Sequence, residues 1–436
     1  NSKHQNTIIN NLKFNLTIDQ TKALEKINKD MKSKQKMFRL LQGDVGSGKT
    51  IVSVIAALNA VKAGYQVAIM APTEILANQH YKYIINNFKK YCNSEILTGK
   101  TEYRQRKKIL NDLLNKKIDV LIGTHALFQN KITYNNLGLI IIDEQHKFGV
   151  NQRKKLSDKG GNNCDVLVMS ATPIPRTMMM TIYGDMDISL IKSKPKNRKP
   201  IKTYSKNETK IDEVIKFIKS EILKKNQIFW VCPLIKESQK IDHQSAIEKY
   251  KYLSKILKYN VDIIHGSMNK DERENVLNKF KEKKIDILVS TTVIEVGIDF
   301  PNANVIVIEN SNKYGLSQLH QLRGRVGRGE REASCILLFK AGLSENARKR
   351  ITILKNTNDG FKVAEEDLKI RGYGDILGFK QSGLKKYNLA DPLKHKDLFD
   401  LAEAHIKKIE KNNIEIVKYN KLLRLYDKVA VINDAI

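Results

Sequence analysis

Short apolar runs recur along this chain, and stretches with helical spacing of apolar residues lie between them. Residues 37–42 read as a short strand, and residues 51–63, rich in Ile, Val, Ala and Leu, read as the helix after it. Further strands are predicted over 66–71, 120–124, 139–143 and 166–170, with a helix opening at 72–80. Wholly apolar strands separated by helices imply a parallel sheet covered on both faces. The polar stretch 192–200, with two prolines, interrupts this alternation and places a linker at 194–200. The alternation then resumes with strands at 228–231, 261–264, 285–289, 305–308 and 335–339. The fold class is α/β, with two parallel-sheet domains over residues 1–193 and 201–345. A mainly helical extension is expected over 346–436, including an amphipathic helix at 398–417. Residues 1–13 read as a loose polar lead-in, and Thr17 as the N-cap of the helix that follows. No internal repeat of 20 to 50 residues is apparent.

Composition narrows the picture. The 436 residues are 41% hydrophobic, enough for two or three cores. Lys and Arg number 77 against 47 Asp and Glu, a formal charge of +30, which favours a polyanionic partner, with nucleic acid first. Cys92, Cys164, Cys232 and Cys335 are far apart and suit neither a zinc site nor a disulfide framework; a reducing, cytoplasmic setting and no membrane are expected. The chain begins at Asn1, which suggests a fragment.

Candidate chemistry begins at residues 43–50, Gly-Asp-Val-Gly-Ser-Gly-Lys-Thr, between the first strand and its helix. This is the phosphate-loop pattern G-x-x-x-x-G-K-[S/T] in its confirming context. Gly43, Asp44, Gly46, Ser47 and Gly48 would cradle phosphates, Lys49 would reach the β- and γ-phosphates, and Thr50 would bind Mg²⁺. The ligand implied is a nucleoside triphosphate, and the Gln20 amide, both donor and acceptor, can pair with adenine. Asp143-Glu-Gln-His146 closes an apolar strand: Asp143 would hold Mg²⁺, Glu144 would polarise the attacking water, and Gln145 and His146 would sense the γ-phosphate. The hydroxyls of Ser170 and Thr172 are placed to bond that loop. Gly324 and Gly327 allow Arg325 and Arg328 to project as a fork onto the developing phosphate charge, whereas Arg323 fits nucleic-acid phosphate equally well. Gly297 and Asp299, in the loop after the strand at 285–289, are candidate nucleotide contacts. Thr73, Thr124, His125, Thr291 and Thr292 lie in loops on the same edge and are candidate contacts to a nucleic-acid backbone.

In this order, these motifs resemble superfamily 2 helicases, and specifically the bacterial RecG branch-migration family. The likeness rests on residues 43–50, 71–74, 123–125, 143–149, 170–177, 291–297 and 320–328, and runs from about residue 14 past 400. It implies two RecA-like domains and an ATP- and Mg²⁺-dependent translocase on double-stranded, forked or junction DNA. It also implies a monomer, with single-strand-binding protein as an expected partner and a wedge domain upstream of Asn1. Residues 358–361, 366–375 and 381–383 resemble the translocation element that RecG shares with the transcription-repair coupling factor Mfd. By that likeness Arg371 and Gln381 contact DNA, while Tyr373 and Lys380 depart from the usual Pro and Arg. Two other readings compete: an Mfd-like motor, which usually carries Asp-Glu-Glu-Gln where this chain has Asp143-Glu-Gln-His146, and a module that binds ATP and nucleic acid without turnover.

Overall fold

A computed structural model describes residues 2–128, 132–144, 164–172, 186–195, 198–233, 239–291, 300–329, 331–371 and 395–411. It divides into two compact units, one of residues 1–174 and 185–370, the other of 175–184 and 371–436.

The first unit holds two parallel sheets. In chain order its first half runs α1 (Ser2–Asn10), α2 (Ile18–Met31), β1 (Phe38–Gly43), α3 (Lys49–Lys62), β2 (Gln66–Met70), α4 (Glu74–Phe88), β3 (Ser94–Leu97), α5 (Tyr103–Leu114), β4 (Val120–Gly123), β5 (Leu137–Ile142), β6 (Asp165–Ser170) and β7 (Asp187–Ile191). The seven strands lie in the order β3-β4-β2-β5-β6-β1-β7. Strands β1, β2, β4, β5 and β6 answer to the predicted apolar runs. The edge strands β3 and β7 escaped prediction because polar residues such as Glu95 and Asp187 break their runs. Helix α1 corrects the expected loose lead-in: Ile8 is fully buried in the first core, with Ile9 and Leu12 packed against it. Two or three apolar residues sufficed to dock a segment whose average is polar.

The second half runs β8 (Lys202–Asn207), α6 (Ile211–Leu223), β9 (Gln227–Val231), α7 (Gln239–Ile256), β10 (Val261–Ile264), α8 (Lys270–Lys281), β11 (Ile287–Ser290), β12 (Ala303–Ile308), α9 (Leu316–Arg323), β13 (Ser334–Phe339), α10 (Glu345–Asn356) and α11 (Gly360–Arg371). Its six strands lie in the order β10-β11-β9-β12-β13-β8. Placing β9 on β2 makes this the first order without its outer β7, so the two sheets share one winding. Helices α10 and α11 belong to this core: Ile351, Leu354 and Val363 are buried in it. The expected boundary at residue 345 therefore does not separate an extension, because the apolar faces of both helices are spent on the second sheet. Of the other unit the structure describes α12 (Lys396–Lys411), on which Leu398, Leu401 and Ile406 are exposed.

In the first sheet β5, β6 and β1 are neighbours. Their C-terminal ends therefore bring together Asp143-Glu144, Ser170 to Thr172, and the 43–50 loop, at the edge where open α/β sheets bind ligands.

Candidate functional site

The 43–50 loop turns between β1 and α3 on two left-handed glycines, Gly46 (φ 74°) and Gly48 (φ 84°). Only glycine takes these angles without strain. Gln20 closes over Gly48. Its Nε2 donates to Ser47 O at 2.8 Å, and its Oε1 accepts from Thr17 N at 2.8 Å to complete the capping box of α2. The side chain expected to read adenine thus also props the phosphate loop. One amide N–H and one oxygen lone pair remain for a ligand.

Lys49 is buried and donates to Gly43 O at 2.7 Å and Asp44 O at 3.1 Å. Burial pulls its ammonium below the usual lysine range, while the charges of Glu144, Asp143 and Asp44 hold it up. Asp143 Oδ1 accepts from Glu144 N at 3.0 Å, and its Oδ2 lies 2.8 Å from His80 Nε2 on α4. Sequence reasoning missed His80 because nothing local marks it; the packing of α4 against the sheet orients it on the acid. Glu144 has φ 53°, a left-handed angle rare outside glycine. Burial, then the Asp143 charge, raise its carboxyl above the ordinary glutamate range against the pull of Lys49 and Arg325. The Ala171 N–H donates to the Glu144 carboxylate. The expected hydroxyl contacts are different ones: Ser170 Oγ donates to Thr172 O at 3.2 Å, and Thr172 Oγ1 accepts from Gln321 Nε2 of α9 at 2.7 Å. That last bond ties the β6 loop to the second sheet.

Arg325 and Arg328 come from the turn after α9. Arg325 is buried, and its charge acts on Glu144. Burial and the Arg198 charge push Arg328 down to about 9, with Glu144 opposing them. The fork read from sequence is thus brought to the acid pair and Lys49. Arg323 is corrected: it is 1% exposed and donates to Leu354 O at 2.6 Å and Thr357 O at 2.8 Å, so it braces the end of α10 and is closed to nucleic acid.

The Asp44 side chain has partners of its own, whatever its backbone does in the cradle. Its Oδ1 accepts from Val45 N of the loop at 2.7 Å and lies 2.7 Å from His320 Nε2, and its Oδ2 lies 2.8 Å from Lys194 Nζ. Arg323 Nη2 donates to His320 Nδ1 at 2.9 Å, so the Nε2 of His320 carries the proton given to Asp44. Burial alone would raise the Asp44 carboxyl; His320 and Lys194 outweigh it and hold it far below the carboxylate range. His320 stands in the arginine motif, yet its partner could not be read from it.

Thr50 starts α3 beside Lys49, at the head of the helix where a phosphate-bound metal would sit. Among the described residues no cluster of three or more His, Cys, Asp or Glu that could hold a metal ion is present. Thr73 caps α4, accepting from Leu76 N at 3.3 Å, and Thr124 is half-buried after β4. Thr291 is fully buried after β11, so its hydroxyl is closed to a DNA backbone in this conformation. Gln145, His146, Thr292, Tyr373, Lys380, Gln381, Gly297 and Asp299 lie outside the described residues, as do the side chains of His125 and Arg371.

Two parallel sheets with a phosphate loop, an acid pair and an arginine pair brought to it define the motor core of a superfamily 2 helicase. Matches to family models agree: DEAD/DEAH box helicase over residues 17–181, helicase conserved C-terminal domain over 209–330, and ATP-dependent DNA helicase RecG, domain 3, C-terminal, over 357–425. The chain is 46% identical over 420 residues to ATP-dependent DNA helicase RecG of Thermotoga maritima, covering 96% of this chain and 54% of that protein. It is 48% identical over 386 residues to RecG of Bacillus subtilis, covering 88% and 56%. A solved structure of RecG bound to a three-way DNA junction superposes with a TM-score of 0.77 at 44% identity, over 91% of this chain and 52% of that one. An RNA-bound Mss116p structure, at 19% identity and a TM-score of 0.60, shares the fold alone. The chain belongs to the RecG family, and it spans about half the length of the curated relatives it matches.

Proposed function

We propose that this chain is an ATP-driven motor on double-stranded DNA that remodels forked and junction DNA. The observation that carries this reading is the convergence of Lys49, Asp143 and Glu144 from one sheet with Arg325 and Arg328 from the other, in a chain at least 46% identical to two RecG helicases. ATP would lie on the N–H side of the 43–50 loop, with Gln20 at the adenine. Thr50 and Asp143 would hold Mg²⁺, which neutralises charge on the phosphates when bound. Glu144 would orient the attacking water, and the arginine pair would stabilise charge on the transferring group. His80 fixes the orientation of Asp143. Thr73 and Thr124 are the proposed DNA contacts, and basic surface supplies affinity with little regard to sequence. The reading extends to a monomeric, cytoplasmic enzyme that meets single-strand-binding protein at stalled forks. Among the described residues no helix is long and apolar enough to cross a membrane.

Steady-state ATPase activity with linear duplex, forked DNA, junction DNA and single-stranded RNA tests this. Stimulation by duplex and forked DNA but not RNA is expected, and Arg328→Ala should remove roughly 10³-fold or more of kcat. Equal stimulation by RNA, or full activity in Arg328→Ala, would sink the reading.

A further inference from the structure

The segment between β7 and β8 has the composition of a solvated linker, and Lys192, Lys194 and Lys199 are exposed. Two of its cations nevertheless make bonds to both sides of the site. Lys194 Nζ reaches Asp44 Oδ2 at 2.8 Å and donates to Asn358 O at 2.9 Å, just before α11. Arg198 Nη1 donates to Val45 O at 2.5 Å, and its Nε donates to Gly327 O at 3.3 Å. Each therefore bridges the phosphate loop to a different part of the second sheet's domain. The guanidinium lies where a Cβ on Gly46 would stand, so this glycine serves a close approach as well as a turn. A cavity of about 320 Å³ lies beside it, bordered by Asp44, Arg198, His320, Arg323 and Phe361.

We propose that Arg198 is a positioning residue of the nucleotide site, clamping the carbonyl side of the phosphate loop to the 324–327 turn so that the Arg325 and Arg328 fork is set against the phosphates. The inference rests on the reading of the 43–50 loop as a nucleotide cradle. It assigns the linker a part in that site which neither its composition nor its motif-free sequence suggests. The clamp takes a carbonyl of the loop, Val45 O, and stands where a Cβ on Gly46 would, so it spends none of the loop N–H groups that would hold phosphate. Lys49, Lys194, Arg198, Arg325 and Arg328 gather around Asp44, Asp143 and Glu144, an excess of positive charge that suits a ligand carrying several negative charges. Because Arg198 sits on the segment that joins β7 to β8, movement of one sheet against the other would act on the phosphate loop through it. A lysine would keep the charge and lose the two-point grip of Nη1 and Nε.

The test compares the wild-type chain with Arg198→Ala, Arg198→Lys and the exposed neighbour Lys199→Ala, by ATPase kinetics with duplex DNA and by hydrogen–deuterium exchange of peptides covering 43–50 and 323–329 without nucleotide. Arg198→Ala should lose roughly 10- to 100-fold in kcat, the scale of a misplaced catalytic group, with KM for ATP within about twofold. Arg198→Lys should recover part of that loss, and Lys199→Ala should match wild type. Exchange in both peptides should be faster in Arg198→Ala alone. Wild-type kcat in Arg198→Ala, a loss confined to KM, or unchanged exchange in both peptides would overturn the clamp. A wild-type chain without ATPase activity would instead refute the proposed function, and the exchange comparison would still decide the clamp.

Discussion

Gln66 opens β2 in the first sheet, and Gln227 opens β9 in the second. Gln66 Nε2 donates to Leu113 O at 2.7 Å and Ile118 O at 2.9 Å; Gln227 Nε2 donates to Phe280 O at 2.6 Å and Ile285 O at 2.7 Å. The likeness continues around them. Asp119 accepts from Asn93 N at 2.8 Å, and Asp286 from Asn260 N at 3.0 Å. Lys116 and Lys283 end the preceding helices at φ 56° and 62°. Asp143 N and Glu309 N each donate at 2.9 Å to the end of the neighbouring strand, at Met70 O and Val231 O, and the next residues, Glu144 and Asn310, are both left-handed, at φ 53° and 46°. The two sheets therefore repeat each other down to single side-chain bonds.

They part where β1 and β8 end. The first enters the glycine-rich 43–50 loop; the second enters a 3-10 turn at Glu208–Lys210 whose N-cap Asn207 accepts from Thr209 N at 3.0 Å. After β5 the acid pair faces Lys49 and the arginines, whereas after β12 Glu309 is neutralised by Lys249 at 2.7 Å. One scaffold carries a phosphate loop and an acid pair in one copy, and a 3-10 turn and a Lys249–Glu309 ion pair at the matching positions of the other. The repeated bonds are thus tied to folding, and chemistry lies in the few loops where the copies differ.

This contrast can be broken at four places. The largest expected effect is at the loops that differ: Lys49→Ala should cost roughly 10²- to 10³-fold in ATPase kcat, the scale of removing one preorganised charge. Lys210→Ala, after the matching strand, should cost nothing, and a comparable loss there would end the claim of division of labour.

The acid pair comes next. Because the Glu144 carboxyl titrates above the usual glutamate range, kcat should climb with pH across that raised value, and Glu144→Gln should flatten the limb. The linkage has the opposite sign for stability: ionising a buried acid with a raised pKa is unfavourable to the fold, so stability attached to this group is present at low pH and fades as pH rises through the raised value. Thermal melts at neutral pH should therefore show Glu144→Gln to be more stable than wild type, and a less stable variant would contradict the burial argument.

Chemical denaturation of Gln66→Leu and Gln227→Leu addresses what the sheets share. Each change removes two side-chain bonds: Leu113 O and Phe280 O keep a backbone donor in Lys116 N and Lys283 N, whereas Ile118 O and Ile285 O lose their side-chain donor, and losses of about 1–3 kcal/mol are expected from both. A loss in one alone would show that the repetition is geometric and not energetic. The smallest effects belong to Lys116→Gly and Lys283→Gly, which place the preferred residue at a left-handed helix end and should each stabilise by roughly 0.5–1 kcal/mol.

Much of this was visible in the chain. The apolar runs located β1, β2, β4, β5 and β6 and most strands of the second sheet, because buried parallel strands need continuous apolar residues. The phosphate loop was legible because its glycines, lysine and threonine must be contiguous to do their work. The domain-scale repetition was also legible in principle. Residues 116–124, Lys-Lys-Ile-Asp-Val-Leu-Ile-Gly-Thr, and 283–291, Lys-Lys-Ile-Asp-Ile-Leu-Val-Ser-Thr, are nearly the same. A search for periods of 20 to 50 residues passes over a repeat the size of a whole domain. Helix α1 was hidden by its polar average, and the docking of α10 and α11 by a composition shift that mimics a boundary.

The sequence by itself determined which short segments are strands, where the cradle for phosphate lies, and which acids and arginines belong to one kind of chemistry. Those features depend on neighbours within a few residues, so the chain states them locally. The tertiary structure alone decided the partners: Asp44 with His320 and Lys194, Asp143 with His80, Glu144 with Ala171, Gln20 with Ser47, and Arg198 with Val45 and Gly327. Each pairing joins segments far apart in sequence, and it is set by the winding of the sheets and the path of the segment between them. A buried charge is stable only where such a partner meets it, and no local pattern specifies which partner that will be.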